Sequence, residues 1–297
     1  MSDHFSLADR LKSDTIVVAP GIYGALGAIQ LAQAGFEAAY LSGASIAYSR
    51  FGRPDIGLVA MSEVAATISA IHERTDLPLI VDGDTGFGNA LNVMRTVRLF
   101  QQCGATAIQL EDQTLPKRCG HLAGKSLIDA AEMTGKIKAA LDARRSADTA
   151  IIARTDSIAV DGFEAALARG ERYLEAGADV LFIEAPQTSR QIAEIAKQFG
   201  GRIPLMANMV EGGRTPEIDA GELEAIGYSI VIFPGGLVRA VTHTMRDYFA
   251  SLHVHGTTRP FRDRMLDFTE LNTVLETDAM LALGARYDRS KFGDDDA

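Results

Sequence analysis

Short apolar segments rich in β-branched residues recur along the chain, and each is followed by polar residues or glycine and then by a segment with helical periodicity. They are continuous apolar runs rather than strict alternations, which is typical of parallel strands covered on both faces. The predicted strands are Thr15–Ala19, Ala38–Leu41, Leu79–Val81, Ala107–Leu110, Ala150–Ala153, Val180–Ile183, Ile203–Ala207 and Ser229–Phe233. Eight strand–helix units without an evident linker favour an α/β fold of the (β/α)8 barrel type, and 297 residues suit one such domain.

Glycines placed shortly before several strands support the same fold. Gly35, Gly104, Gly177 and Gly227 stand where a glycine is expected to end the preceding helix in a left-handed conformation. The alternative is an open, doubly wound sheet. The segment Pro20–Gly24 after the first strand lacks the spaced glycines of a dinucleotide loop, which argues against that alternative.

Two helical segments follow the eighth strand, near Leu237–Leu252 and near Arg262–Leu283. The second has no place in the barrel, so it is expected to cap the barrel or to pack on another subunit. We predict one barrel domain over residues 1–297, with a helical extension and tail over 257–297. The acidic end, Asp294–Asp296, is expected to be disordered.

Composition excludes some classes of protein. A formal net charge of -10 argues against a nucleic-acid partner, which needs clustered Lys and Arg. The first residues do not pair a basic segment with an apolar run, and no apolar stretch of about 18 residues occurs, which favours a cytoplasmic protein without a membrane partner. The two cysteines, Cys103 and Cys119, cannot form a disulfide framework, in agreement with a reducing compartment.

Polar residues follow most of the predicted strands, at the barrel end where catalysis is expected. They include Ser42, Gly43, Asp82, Asp84, Glu111, Arg154, Asp156, Glu184 and Asn208. Carboxylates from neighbouring strands would repel one another unless a cation offset their charge. One such carboxylate alone would indicate a helix cap or a solvated turn, but Asp82, Asp84 and Glu111 together predict a site for Mg2+ or Mn2+.

The loop after the fourth strand contains a cysteine among basic residues. Lys117, Arg118 and a protonated His121 are expected to lower the pKa of the Cys119 thiol. The flanking Pro and Gly residues indicate a mobile lid over residues 113–125. The alternative is an incidental loop cysteine, and Cys103, on an amphipathic helical segment, is expected only to pack.

These residues resemble the isocitrate lyase and phosphoenolpyruvate mutase superfamily, over about Pro20 to Arg239. The matching motifs are Tyr40-Leu41-Ser42-Gly43, Pro54-Asp55, Asp82-Gly83-Asp84-Thr85-Gly86-Phe87-Gly88, Glu111-Asp112-Gln113, Ala153-Arg154-Thr155-Asp156, Glu184-Ala185-Pro186 and Asn208. The most specific stretch is Lys117-Arg118-Cys119-Gly120-His121, which resembles the signature of the lyase branch. Members that act on carbon–phosphorus bonds lack that cysteine.

The resemblance implies a keto-acid or enolate fragment bound to Mg2+. It implies that Asp82 and Asp84 and, partly through water, Asp55 and Glu111 surround the metal. It further implies substrate binding by Ser42, Gly43, Ala44, Lys117, Arg118, Gly120, Asn208 and Arg239. Ala44 departs from the glycine of many relatives, and its methyl group narrows the approach.

The resemblance also implies the reaction of a carbon–carbon lyase. Loss of the 2-hydroxyl proton lets the C2–C3 bond break, which leaves a keto acid and a carbanion next to a carboxylate. Cys119 is expected to protonate that carbanion. The expected catalytic set is Cys119, Tyr40, Arg154, Glu184 and His121. Tyr40 and Glu184 could each assist removal of the hydroxyl proton, so the base stays open.

Two features of the sequence disagree about the substrate. The segments Asn208–Pro216 and His121–Lys125 resemble lyases of 2,3-dimethylmalate and 2-alkylmalates, whereas Arg239 could hold a further carboxylate, as in cleavage of 2-methylisocitrate. We expect a 2-alkylmalate, with 2-methylisocitrate as the alternative. An oxaloacetate decarboxylase and a non-catalytic keto-acid sensor are further alternatives, and family members suggest a homotetramer.

Overall fold

The computed structural model describes residues 7–288 and contains a closed barrel of eight parallel strands in sequence order. The strands are β1 Val17–Ile22, β2 Ala39–Leu41, β3 Leu79–Asp82, β4 Ala107–Glu111, β5 Ala150–Thr155, β6 Val180–Ile183, β7 Leu205–Asn208 and β8 Ile230–Phe233. β1 pairs with β8 and closes the barrel. The predicted (β/α)8 barrel is therefore confirmed.

Helices separate these strands along the chain and follow the last of them. They are α1 Leu7–Arg10, α2 Ala25–Gln33, α3 Gly43–Phe51, α4 Met61–His72, α5 Ala90–Cys103, α6 Ala130–Ala143, α7 Phe163–Glu175, α8 Ser189–Phe199, α9 Ala220–Ala225 and α10 Gly236–His255. A short 3-10 helix, Ser157–Ala159, follows β5. The glycines predicted to end helices do have positive φ, between 84° at Gly35 and 113° at Gly104.

Alternate residues of each strand belong to two different layers. Tyr40, Ile80 and Ile152 lie in a buried cluster that fills the barrel, whereas their neighbours Leu41 and Val81 lie in the layer shared with the helices. This alternation of side chains continues to the C-terminal end of each strand. The polar residues at these ends therefore point toward the barrel axis. These residues are Tyr40, Asp82, Glu111, Arg154, Glu184 and Asn208.

Several strands extend further than predicted. β3, β4, β5 and β7 each end one or two residues later than predicted, so Asp82, Glu111, Arg154 and Asn208 lie within strands rather than after them. β1 runs through Gly21, where an added Cβ would lie 2.3 Å from the carbonyl oxygen of Pro234. A larger residue there would push β1 away from the end of β8.

The described part of the chain divides after Arg239 into two compact units. In the second unit the predicted C-terminal helical segment is present, but it is divided into a 3-10 helix at Arg259–Arg264, then α11 Phe268–Val274 and α12 Thr277–Ala285. The side chain of Asp267 caps α11, and Glu276, with φ 58°, separates α11 from α12. The predicted disordered end, Asp294–Asp296, lies outside the described residues.

Within residues 7–288, no helix combines the length and the apolar character that crossing a bilayer requires.

Candidate active site

Three buried carboxylates converge at the C-terminal end of the barrel. One oxygen from each of Asp82, Asp84 and Glu111 lies within 4.8 Å of the others. Asp82 and Glu111 end β3 and β4, while Asp84 adopts a left-handed conformation, φ 46°, in which its N–H donates to Asp82 Oδ1 at 3.1 Å. Glu111 Oε1 is buried and has no hydrogen-bond partner among the described residues. This oxygen-only set with an unsatisfied buried acceptor fits a hard dication such as Mg2+.

Burial controls the protonation of this cluster. It raises the pKa of Glu111 well above its ordinary value, and it raises the pKa of Asp84 to about 7, with Lys117 opposing the rise and Asp82 adding to it. A nearby cation favours the ionised form of a carboxyl group. A bound dication would therefore stabilise the charged cluster that burial disfavours.

Lys117 extends from the lid, residues 113–125, into this cluster. Its Nζ lies 2.6 Å from Asp55 Oδ1 and 2.6 Å from Asp84 Oδ1. Burial would lower the pKa of Lys117, but the surrounding carboxylates, chiefly Asp84 and Glu111, raise it well above its ordinary value. Lys117 is thus a buried cation that already neutralises part of the acidic cluster.

The lid is docked over the cleft in this structure. The N–H of Cys119 donates to the backbone oxygen of Asp55 at 3.2 Å. The side chain of Gln113 binds both the N–H and the carbonyl of Arg118, at 2.9 and 2.8 Å, and Gln113 forms an antiparallel bridge with Leu127. Mobility of the lid stays a prediction.

The thiol of Cys119 is half-buried and lines the cleft. Burial raises the pKa of Cys119 above its ordinary value, and the Asp55 and Glu184 carboxylates add to the rise. The prediction that its basic neighbours lower this pKa is wrong. The thiol therefore keeps its proton at neutral pH and can act as a proton donor.

The basic residues beside Cys119 are engaged elsewhere. Lys117 pairs with the carboxylates of Asp55 and Asp84. Arg118 is exposed and donates to the carbonyl of Ala123 at 2.9 Å. Proximity in sequence alone therefore predicted the wrong direction for the pKa shift of the Cys119 thiol.

His121 reaches across the cleft to Glu184, with Nε2 at 3.1 Å from Oε1. Its Nδ1 accepts a hydrogen bond from the N–H of Arg214 at 3.1 Å, so the neutral ring carries its hydrogen on Nε2, facing the carboxylate. Asn208 Nδ2 donates hydrogen bonds to Glu184, at 3.3 and 3.2 Å. Burial would raise the pKa of Glu184, but the Arg154 guanidinium and His121 lower it below its ordinary value.

Arg154 is fixed on the floor of the cleft. It makes two hydrogen bonds to Asp156, at 2.9 and 3.1 Å, and its Nε lies 3.4 Å from Glu111 Oε2, its partner in strand register. An added Cβ at Gly120 would lie 2.4 Å from Arg154 Nη2 and 2.8 Å from Glu184 Cδ. Only glycine fits at this point of the closed lid.

The start of α3 provides hydrogen-bond donors beside the carboxylates. Ser42 caps the helix, since its Oγ accepts from the N–H of Ser45 at 3.1 Å. The first N–H groups of a helix, here from Gly43 and Ala44, have no partner within the helix and attract anions. An added Cβ at Gly43 would lie 3.3 Å from Asp82 Oδ2, so this anion site adjoins the acidic cluster.

Tyr40 lines the bottom of the cleft, at the inside of the barrel. Its hydroxyl donates to Gln109 Oε1 at 3.0 Å. Burial raises the pKa of Tyr40 well above its ordinary value, and the Asp82 carboxylate adds to the effect. The phenol therefore stays protonated at neutral pH.

The cleft has a cavity volume of about 60 Å³ and brings together most of the predicted site residues. Gly43 and Asp84 lie just behind its lining. Sequence reasoning missed the lining residues Tyr48, Val210, Pro234 and Gly235. Tyr48 stands one helical turn after Ala44, and Pro234 directly follows β8, so both positions were signalled by spacing.

Arg239 lies at the rim and is about half exposed. Its guanidinium forms an ion pair with Glu211, which follows β7. An added Cβ at Gly235 would lie 2.5 Å from Arg239 Nη1, so the arginine packs directly on the turn after β8.

A barrel with buried acidic residues under a cysteine-bearing lid defines a class of α/β barrel enzymes, and comparison with known proteins specifies it further. Residues 7–253 match the family model of phosphoenolpyruvate phosphomutase, so the chain belongs to this family, within the phosphoenolpyruvate mutase and isocitrate lyase superfamily. The predicted resemblance is confirmed.

Two curated relatives are lyases. The chain is 43% identical over 275 residues to 2,3-dimethylmalate lyase of Eubacterium barkeri, covering 93% of this chain and 94% of that protein. It is 45% identical over 264 residues to 2-methylisocitrate lyase of Aeropyrum pernix, covering 89% of this chain and 84% of that protein. These relatives agree with the predicted lyase branch.

Solved structures show the same fold. A crystal structure of 2,3-dimethylmalate lyase superposes with a TM-score of 0.89 at 36% identity, covering 95% of this chain and 94% of that one. A phosphonopyruvate hydrolase in complex with oxalate and Mg2+ superposes with a TM-score of 0.86 at 32% identity, covering 97% and 99%. A member of the superfamily thus binds Mg2+.

Proposed function

We propose that this chain is a Mg2+-dependent carbon–carbon lyase that cleaves a small 2-hydroxy dicarboxylate of the 2-alkylmalate type into an α-keto acid and a carboxylate. One observation carries the proposal: the protonated thiol of Cys119, on the lid, lines the same cleft as Asp82 and Glu111. A lyase needs both a group that stabilises a keto-acid oxygen and an acid that quenches a carbanion.

Some residues of the cleft would bind the metal, and others would bind the substrate. Asp82, Asp84 and Glu111 would hold Mg2+, or Mn2+ in its place, with Asp55 beside them. When bound, the dication polarises the substrate oxygens and stabilises their negative charge. The donors at the start of α3 suit the carboxylate next to the keto carbon, and Arg154 suits the 2-oxygen.

The cleavage step then needs one base and one acid. Glu184 is ionised and accepts the proton of the 2-hydroxyl, whereas Tyr40 keeps its own proton. The electron pair of the C2–C3 bond passes to C3 as the keto group forms at C2. The thiol of Cys119 donates its proton to C3, and the proton on Glu184 returns through solvent to the thiolate. The products are a keto acid and a saturated carboxylate.

The ion pair at the rim favours a dicarboxylate over a tricarboxylate. The guanidinium of Arg239 is engaged by Glu211, so it is not free to bind a third substrate carboxylate. The neighbouring lining residues Val210 and Pro234 offer apolar contact for an alkyl group.

Glu211→Gln is expected to release Arg239 and to raise kcat/KM for 2-methylisocitrate relative to 2,3-dimethylmalate by about tenfold, the effect of one charge-assisted contact. Steady-state kinetics with both substrates measures this ratio. Glu217→Gln, a matched change at an exposed site, should leave it unaltered. An unchanged ratio in the Glu211 variant would contradict the claim that the ion pair between Glu211 and Arg239 disfavours a tricarboxylate substrate.

A survey of substrates tests the function itself. The enzyme with Mg2+ is incubated with 2-alkylmalates, 2-methylisocitrate and oxaloacetate, and release of keto acid and of carbon dioxide is followed. We expect the highest kcat/KM with a 2-alkylmalate. Turnover of oxaloacetate alone, with carbon dioxide, would indicate a decarboxylase, and bound metal without turnover of any compound would indicate a sensor.

We also propose that the chain forms a homo-oligomer, by family expectation a tetramer. The second unit leaves many large apolar side chains exposed, among them Phe249, Val254, Phe268, Met280 and Leu281. Burial of apolar surface contributes about 25 cal/mol per Å² to association. Light scattering should give a multiple of the 31.8 kDa chain mass, and a monomer at working concentration would overturn this proposal.

A further inference from the structure

A buried ammonium group connects the lid to the floor of the cleft. Lys125 Nζ donates to the carbonyl oxygen of Gly120, in the lid, and to Asp156 Oδ1 at 2.7 Å. Asp156 in turn holds the guanidinium of Arg154 through two hydrogen bonds. We propose that Lys125 is a positioning residue that locks the closed lid and ties it to Arg154, an inference that rests on the proposed function.

The Asp156 end of this link is rigid. The N–H of Asp156 donates to Asp112 Oδ1 at 3.0 Å. The carboxylate of Asp112 also accepts from Thr155 Oγ1 at 2.7 Å, Tyr173 OH at 2.8 Å and Arg169 Nη1 at 3.1 Å. Since Asp112, Thr155 and Asp156 are fully buried, Asp156 is anchored to the barrel and does not follow the lid.

The backbone of Lys125 is also close to a fixed point. The N–H of Thr114 donates to the carbonyl of Ser126 at 2.9 Å, and Gln113 bridges Leu127. These contacts close the base of the lid. Lys125 therefore projects from the stationary end of the loop and reaches its tip at Gly120.

The lid end of the link lies between two residues of the proposed chemistry. Gly120 separates Cys119 from His121, which contacts Glu184. Fixing the Gly120 carbonyl therefore fixes the thiol over the cleft and the imidazole against its carboxylate. With Lys125 99% buried at its side chain, water does not compete for these hydrogen bonds.

Charge balance explains why a lysine stands here. Three buried carboxylates, Glu111, Asp156 and Glu184, surround the guanidinium of Arg154. Burial would raise the pKa of Asp156, but Arg154 and Lys125 lower it to about 2. Lys125 supplies a second positive charge beside Asp156, so its loss would leave Arg154, which also pairs with Glu111 and Glu184, to balance Asp156 without it.

Lys125→Met tests the proposal in the full-length enzyme through two measurements that do not depend on substrate. The first is the rate of cleavage after Arg118 by an arginine-specific protease, and the second is the rate of alkylation of Cys119 relative to Cys103. Both rates should rise by about ten- to a hundredfold, the effect of losing one hydrogen bond to a charged group. The kcat of the enzyme for carbon–carbon cleavage of its substrate should fall by a similar factor. Lys138→Met, at an exposed site, should change none of them.

Two further variants keep the test decisive. Lys125→Arg, which retains the charge and donors, should recover most of the protection and of kcat. Lys125→Gln supplies the same measurements should the methionine variant unfold in a thermal scan. A folded variant that loses kcat while Arg118 and Cys119 stay protected would overturn the link to the lid, and so would unchanged kcat. If the wild type cleaves no substrate, the proposed function fails, but the two protection measurements still decide the role of Lys125.

Discussion

Cys119→Ala is expected to lower kcat/KM for carbon–carbon cleavage by roughly a thousandfold, within the range lost with a positioned general acid. Burial keeps the thiol protonated, and methyl in its place has no proton to give to C3. Keto-acid release from a 2-alkylmalate measures the effect. Binding of the keto-acid product should persist, because the donors at the start of α3 are unchanged.

The second cysteine is the matched control for this variant. Cys103 ends α5 and packs beside the core, away from the cleft lining, so Cys103→Ala should retain wild-type turnover. Unchanged turnover in the Cys119 variant would count against the lyase mechanism. Loss of carbon dioxide from oxaloacetate that survives the same substitution would favour a decarboxylase, which needs no acid at this position.

Removal of the dication is expected to abolish turnover, and Mg2+ should restore it. Asp82→Asn should weaken Mg2+ binding and lower kcat/KM by at least about a hundredfold, since metal charge is worth several kcal/mol to such a reaction. Calorimetric titration with Mg2+ and turnover against free Mg2+ measure the two effects. Mn2+ is expected to substitute.

Asp76→Asn is the control for the metal site, because this aspartate is exposed and precedes β3 at the opposite end of the strand. It should bind Mg2+ as the wild type does. Full turnover by chelated protein, shown by elemental analysis to contain no dication, would rule out the metal site as described.

The barrel and much of its site could be predicted because both depend on short-range pattern. Continuous apolar runs identified the strands, and the residue that ends each run identified Asp82, Glu111 and Asn208. The period of two then explains why these side chains converge. The lining residues Tyr48 and Val210 were missed because neither lies at a strand end: Tyr48 lies within α3, and Val210 follows the last residue of β7 by two positions.

The direction of the pKa shift of the Cys119 thiol could not be predicted from short-range sequence pattern. The shift depends on how deeply Cys119 is buried and on which groups form ion pairs or hydrogen bonds with the neighbouring basic residues. Both depend on tertiary contacts. Lys117 is adjacent in sequence to Arg118, yet one is buried between carboxylates and the other is exposed. The division of the last helix at Glu276 likewise has no breaker residue such as glycine or proline to announce it.

Asp55 belongs to the connection between α3 and α4, not to a strand end, yet it binds the lid twice: through its carboxylate to Lys117 and through its carbonyl to Cys119. The cover of the cleft is therefore built from two segments, 52–60 and 113–125, that contact each other. Grafting one segment from a homologue without the other would change one side of these two contacts and leave the other side as it is. Engineers who wish to transfer specificity between these barrels need to exchange the pair.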